Sequence, residues 1–157
     1  MGMMNKLPSE TWAVGGVIDP DANDQSTVTS DWVDLGKYDQ AVAIALVGIM
    51  ATGATVDVEI QQATASDGTG AKAITGKAAT TLTAAGSDDD KQVIINVRAE
   101  ELDTANDFRF VAVKMTPGDT ANSPDTAAID SGAVIFGVGA RYLPVDNDLA
   151  TVDEIVN

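Results

Sequence analysis

Residues 54–63 set the pattern of the chain: Val56, Val58 and Ile60 are apolar, and Asp57, Glu59 and Gln61 between them are polar. A period of two puts these rows on opposite faces, which predicts a strand with one face that needs a covering sheet. After Gln62 the chain passes through Ser66-Asp67-Gly68-Thr69-Gly70 and Ile74-Thr75-Gly76-Lys77, a Gly- and Thr-rich stretch that reads as a turn-rich connection. Apolar residues return at Val93, Ile94, Ile95 and Val97, a predicted strand. Another is predicted over residues 108–115, with Phe108, Phe110 and Ala112 opposite Arg109, Val111 and Val113. Residues 40–50 are almost wholly apolar, with Val42, Ile44 and Leu46 on one face and Ala41, Ala43, Ala45 and Val47 on the other. Alanine favours helices. The flanking Gly36, Gly48 and Gly53 and the β-rich surroundings favour instead a strand in the middle of a sandwich, its alanine face close under another element.

The remaining segments follow the same logic. Residues 12–18 form a short apolar strand with a bulge or bend at Gly15-Gly16, and residues 19–24 then turn the chain. Residues 27–35 predict a second strand, interrupted near Ser30-Asp31, with Trp32 as a packing anchor. A brief strand over 80–83, a turn over 84–90, one helical turn over 98–102 and a strand over 133–138 complete the regular elements. Residues 117–130 are polar and small, with Pro124 among them, and read as a long exposed loop. Many short strands, frequent turn signals and no long helical period indicate an all-β fold, an antiparallel β-sandwich or barrel, with no internal repeat. The domain spans residues 12–142 between two arms. Residues 1–11 have no period and form an N-terminal arm that orders only against something else. In residues 143–157, Leu149, Val152, Ile155 and Val156 stand at near-helical spacing behind the capping candidates Asp146, Asn147 and Asp148. This tail is either a short docking helix or an arm reaching a neighbour.

Composition narrows the function. A chain of 157 residues suits one domain, and folding at that size buries about 70% of the unfolded surface. Cysteine and histidine are both absent, which removes disulfides, thiolate metal sites, the commonest general base near neutral pH and the commonest transition-metal ligand. With 24 acidic against 9 basic residues the formal charge is −15, so no nucleic-acid partner is expected, since phosphate is held by Lys and Arg. The acidity serves solubility and self-repulsion, or complements a basic surface on a partner protein. No apolar run reaches membrane-span length and Met1-Gly2-Met3-Met4-Asn5-Lys6 lacks a signal-peptide core, so a soluble protein used without translocation is expected.

Local motifs do not add chemistry. Five residues separate Gly70 from Gly76, and Ala78 follows Lys77, whereas a phosphate-binding loop needs four residues and a hydroxyl. Asp19, Asp21 and Asn23 copy the start of a calcium loop, but Asp24 replaces its glycine and Ser30 its bidentate glutamate. A surface calcium site at Asp19 and Asp21, or at Asp88, Asp89 and Asp90, needs only converging oxygens. Asp57 and Glu59 share one strand face, as glycosidase carboxylates do, but seven aromatics are too few to line sugar subsites. Gly137 and Gly139 lack the third glycine and the βαβ context of a dinucleotide site. No catalytic, cofactor or metal residue is assigned, and no enzymatic activity is expected.

The string Gln61-Gln62-Ala63-Thr64-Ala65-Ser66-Asp67-Gly68-Thr69-Gly70-Ala71-Lys72-Ala73-Ile74-Thr75-Gly76-Lys77 resembles one in small virion structural proteins of tailed bacteriophages. Val97-Arg98-Ala99-Glu100-Glu101-Leu102-Asp103, Phe108-Arg109-Phe110-Val111 and Gly139-Ala140-Arg141-Tyr142 are similar to the same group, so the resemblance covers residues 30–142. It implies a jelly-roll-like sandwich on the particle. The resulting expectation is a capsid decoration, or cement, protein on the outer head, made in the host cytoplasm. Its partners would be the major capsid protein and other copies of itself, a trimer suiting three-fold positions. Its contacts are expected from Trp12, Val14, Leu149, Val152, Ile155 and Val156. A low-copy tail, neck or fibre-base adaptor and a carbohydrate-binding spike module are the alternatives.

Overall fold

The computed structural model describes residues 6–23, 26–119 and 129–156. Its strands are β1 (Trp12–Asn23), β2 (Val28–Thr29), β3 (Val33–Asp34), β4 (Tyr38–Val47), β5 (Ala54–Ala63), β6 (Lys72–Ala78), β7 (Leu82–Thr83), β8 (Gln92–Arg98), β9 (Phe110–Asp119) and β10 (Ile129–Ala140). They form two sheets in which every pairing is antiparallel. Sheet A has the order β1-β10-β4-β8; sheet B has β2-β9-β5-β6, with β3 also on β9 and β7 also on β5. With β2 and β3 taken as one interrupted strand, and β6 and β7 as another, the chain crosses between sheets at each step except the β5–β6 hairpin. That is the strand order of a jelly-roll sandwich. The expected all-β, antiparallel, jelly-roll-like fold is the observed one.

The core follows from the alternation. Val56, Val58 and Ile60 of β5 and Val111, Val113 and Met115 of β9 point inward from sheet B and are almost fully buried. Facing them from sheet A are Ala41, Ala43 and Ala45 of β4, with Ile135 and Val97 on the strands to either side. Small residues on an inner strand of one sheet thus oppose branched residues and Met115 on the other, the large-against-small pairing by which facing sheets interdigitate. The strand interruption at Ser30 is also resolved: its backbone N–H donates to Val113 O at 3.0 Å, and its Oγ accepts from Val113 N at 3.1 Å, so the ladder with β9 continues through the break.

Three expectations change. The turn over residues 19–24 is the end of β1 instead, which passes Asp19-Pro20 with a register shift between Ile18 and Asp21; Asp24 lies outside the described residues. Pro20 is tolerated because it falls at that irregularity of an edge strand, where regular ladder pairing is already interrupted. The Gly- and Thr-rich connection contains β6, an edge strand whose only deeply buried side chain is Ile74, so little hydrophobic signal is needed to form it. The loop over residues 117–130 is shorter than expected: β9 continues to Asp119 and β10 begins at Ile129, while residues 120–128, including Pro124, lie outside the described residues. The helical turn expected over 98–102 is present as a 3-10 turn, Ala99–Glu101, with the Glu101 carboxylate accepting from Arg98 N at 2.8 Å.

Both ends of β6 are clamped electrostatically to the segment after β8. Lys77 pairs with Glu101 at 2.8 Å and Lys72 with Asp103 at 2.6 Å. The Lys77 hydrogen bond holds the Glu101 carboxyl below its ordinary range, and Lys72, then Asn106, does the same for Asp103. Both carboxyls therefore bind protons more weakly when folded, so their contribution is present above the ordinary carboxylate range and is lost as pH falls through it. The melting temperature is expected to fall between about pH 5 and pH 3, and less steeply in Lys72→Met/Lys77→Met; equal slopes would remove these clamps from the acid response. Packing supplies a second expectation. A Cβ on Gly137 would lie 2.6 Å from the Tyr38 ring, so Gly137→Ala should cost about 1–3 kcal/mol in denaturant unfolding.

Candidate interaction surface

The outward faces of the two sheets differ in kind. On sheet B, β5 presents Thr55, Asp57, Glu59 and Gln61, matched across β9 by Lys114 and Thr116. On sheet A, the register lines up large apolar residues across all four strands. Val17, Val134, Ile44 and Ile94 form one row, and Val14, Phe136 and Val42 form the next. Trp12 stands beside Val138, and Leu46 beyond Ile44. Leu46 is 48% exposed and Ile94 is 61% exposed. Alternation on β4 thus turns its alanines inward and its large residues outward, so this sheet is apolar on both sides. Contiguous outward apolar surface of this kind marks an interaction site.

The Gly15-Gly16 pair keeps β1 in phase with that face. The expected bulge is present as a register shift between Val14 and Gly16. The one extra residue leaves both Val14 and Val17 outward and both Ala13 and Ile18 inward, where an unbroken alternation would have reversed the second pair. Glycine is required there by close approach: a Cβ on Gly15 would lie 2.3 Å from Val33 Cγ2, and one on Gly16 2.7 Å from Asp31 O.

The C-terminal segment is an extended arm, not a helix, and it docks on its own sandwich. Asn147 Oδ1 accepts from Val14 N at 2.8 Å, and Asp148 N donates to Val14 O at 2.8 Å. Val14 lies on the outer edge of sheet A, where both backbone groups lack a strand partner, and the arm supplies one for each. Tyr38 Oη donates to Asp146 O at 2.8 Å, and Asp146 pairs with Lys37. Hydrogen bonding to Asp146 raises the Lys37 pKa, and burial raises that of Tyr38. The residues expected to cap a helix therefore fasten the arm instead. Beyond them the chain turns once, with Val152 N donating to Leu149 O at 3.1 Å.

Of the six residues singled out from the sequence, five meet. Trp12, Val14, Leu149, Val152 and Ile155 line a hollow of about 220 Å³ with Phe136. The Trp12 and Phe136 rings are 6.2 Å apart at 58°, a tilted pair. Val156 projects away and is 83% exposed. On the other side of Trp12 a second apolar cavity of about 420 Å³ is bounded by Val138, Ala140, Leu143 and Lys6. The N-terminal arm contributes a 3-10 turn, Pro8–Glu10, beside this ridge, and residues 1–5 lie outside the described residues. The outward residues of β4, β8 and β10 were not singled out. Their signal was the presence of large apolar residues on both faces of the register, which sequence pattern alone equates with burial on both sides.

The other candidates resolve into structural roles. Asp57 accepts from Thr81 Oγ1 at 2.5 Å, and Glu59 pairs with Lys114 at 3.1 Å on the solvated face of β5. Lys77 donates to Asn96 O at 2.8 Å and sits on a strand, not at a phosphate loop. Asp88 and Asp89 accept from the backbone N–H groups of Thr83 and Met50. Among the described residues no group of three or more acidic side chains is placed to hold a metal ion. Trp32 packs under the Gly68 turn, where a Cβ would lie 2.8 Å from its Nε1, beside a polar cavity in which Arg109 pairs with Asp34 at 2.5 Å. No helix among the described residues is long and apolar enough to cross a membrane.

The strand order and the outward residues define an antiparallel jelly-roll sandwich with one apolar outer face. No family model matches the sequence, and no curated protein is similar to it. Among solved structures, the chain is similar to part of one in the structure of infectious bursal disease virus Gx strain, with a TM-score of 0.44 and 11% identity over 84% of this chain. The match takes in 29% of that chain, so the present chain spans under a third of its length.

Removing the Asn147 side chain should free the arm where it is fastened. Asn147→Ala leaves the Val14 N–H without its acceptor, at a cost of about 1 kcal/mol. Amide hydrogen exchange at Val14 should accelerate while the β10 amides keep their rates; unchanged exchange at Val14 would show that Asn147 does not secure the edge.

Proposed function

We propose that this chain is a phage capsid decoration protein, bound in many copies on the outer head and stabilising contacts between major capsid subunits. The observation that carries the reading is the apolar outer face of sheet A with a terminal arm laid across one corner. The jelly-roll strand order and the resemblance over residues 30–142 to small virion proteins of tailed phages support the same class. The charge of −15 disfavours a position against packaged DNA. The attachment corner would be the Trp12 ridge with Leu149, Val152 and Ile155, reached by Val156 at the outer end. Each copy offers a modest apolar contact, so retention on the particle would come from many copies and several contacts per copy more than from one tight site.

Stoichiometry tests the reading. Quantitative mass spectrometry of purified virions should give a copy number comparable to that of the major capsid protein; a few copies per particle would overturn decoration in favour of a tail, neck or fibre-base adaptor. A chain ending at Tyr142 should lose most of its binding to heads stripped of the protein, at least about tenfold. Its sheets should stay folded by circular dichroism, and undiminished binding would remove the arm from attachment.

A further inference from the structure

We infer that the polar cavity beside Trp32 receives an arginine side chain of a partner protein. The cavity, of about 570 Å³, lies where β3, the Ser66 turn, the start of β9 and the C-terminal arm meet. It adjoins another of about 580 Å³, with which it shares Ser66, Arg109 and Phe110. Four of the seven aromatic residues of the chain, Trp32, Tyr38, Phe108 and Phe110, line these two cavities.

The chain's own cations show what this region holds. Lys72 Nζ lies 4.0 Å from the centre of the Phe108 ring and 2.6 Å from Asp103 Oδ2. Arg109 Cζ lies 5.0 Å from the centre of the Phe110 ring, and its Nη2 is 2.5 Å from Asp34 Oδ2. Each cation is seated between an aromatic ring and a carboxylate, both of which attract it. Trp32 and Asp31 bring a third ring and carboxylate to the same cavity, and the arm adds Asp148. The backbone gathers the two acids along β1: a Cβ on Gly16 would lie 2.7 Å from Asp31 O, and two residues earlier Val14 O accepts from Asp148 N. Gly68 packs against the indole and fixes its position.

This third seat is not filled from within the chain. Seven of the nine basic residues pair with other acids, Lys37 and Arg109 among them with Asp146 and Asp34 at this cavity. Of the other two, Lys6 borders the cavity at Val138, and Lys91 precedes β8, which pairs there with Leu46 at the opposite end of β4 from Tyr38. Asp31 and Asp148 make no ion pair among the described residues. The cavity is therefore lined by more carboxylates than cations, and the excess includes the neighbour of the Trp32 ring. A guanidinium suits that place better than an ammonium. It is planar, lies flat on an indole, gives a carboxylate two parallel hydrogen bonds and is more weakly hydrated. A chain of charge −15 also attracts a basic protein surface as a whole, so the long-range field and the cavity select the same partner.

Heteronuclear NMR of the full chain, titrated with N-acetyl-L-arginine amide, tests this without a particle, so its failure and that of the decoration reading are distinguishable. The indole N–H of Trp32, told apart from that of Trp12 with Trp12→Phe, should shift saturably with a Kd on the order of millimolar. The citrulline analogue, of the same shape without the charge, should bind at least about tenfold more weakly. Asp31→Asn, at an exposed position, should weaken binding about fivefold. Asp90→Asn, the same charge change beside Gly48, should not. A blocked Gly-Gly-Arg-Gly-Gly peptide should bind at least as tightly as the single residue. The inference is overturned by a Trp32 signal that does not move, by equal binding of the citrulline or lysine analogue, or by indifference to Asp31→Asn. Binding of the single residue but not of the peptide would make this a small-molecule site and overturn the protein partner.

Discussion

The placement of β4 is the constraint on which the rest depends. It lies inside sheet A between β10 and β8, and its alanines face the core. Alanine there lets the opposite sheet approach until Val58, Ile60, Val113 and Met115 fill the interior. Larger residues inward would force the sheets apart or strain rotamers. The same alternation leaves Val42, Ile44 and Leu46 no place but the outside. A closely packed core and an apolar outer face are therefore two results of one pattern.

Backbone satisfaction decides where the termini go. An edge strand with an irregularity exposes N–H and C=O groups that cannot all be met by a regular neighbour. Val14 is such a position, next to the Gly15 bulge, and Asn147 and Asp148 meet both of its groups. Once fastened there, Leu149, Val152 and Ile155 can only lie against Trp12 and Phe136. The arm's apolar residues thus gather by consequence of a polar contact several residues earlier in the chain.

The fold was legible where one face of a strand is wet and the other dry. Val56 to Ile60 and the interrupted strand around Ser30 read correctly from alternation and punctuation, and the Gly15-Gly16 bulge from its glycines. Alternation failed where burial does not require it. β6 forms at a sheet edge with Ile74 as its one deeply buried anchor, and β1 runs through Pro20 because the proline falls at a register shift of an edge strand. The tail stayed open between a docking helix and an arm for a different reason: the spacing of Leu149, Val152 and Ile155 fits a helix, but local period cannot register that Val14, over a hundred residues away, needs hydrogen-bond partners. The apolar face escaped notice because a strand apolar on both sides looks the same whether its outer face is covered by its own chain or left for another.

Charge completes the logic of that face. Among the described residues, seven ion pairs engage Lys37, Lys72, Lys77, Arg98, Arg109, Lys114 and Arg141, seven of the nine basic residues of the chain. Exposed pairs of this kind add little stability individually. Their larger effect is on the outer field, since each cation is neutralised by its own chain and the unpaired acids dominate what a neighbour meets. Two chains approaching at random repel, whichever acidic surfaces they present. Where the surface is instead neutral and apolar, close approach releases water without opposing charge, so the charge pattern and the strand pattern together set the outer face of sheet A apart from the rest of the molecule.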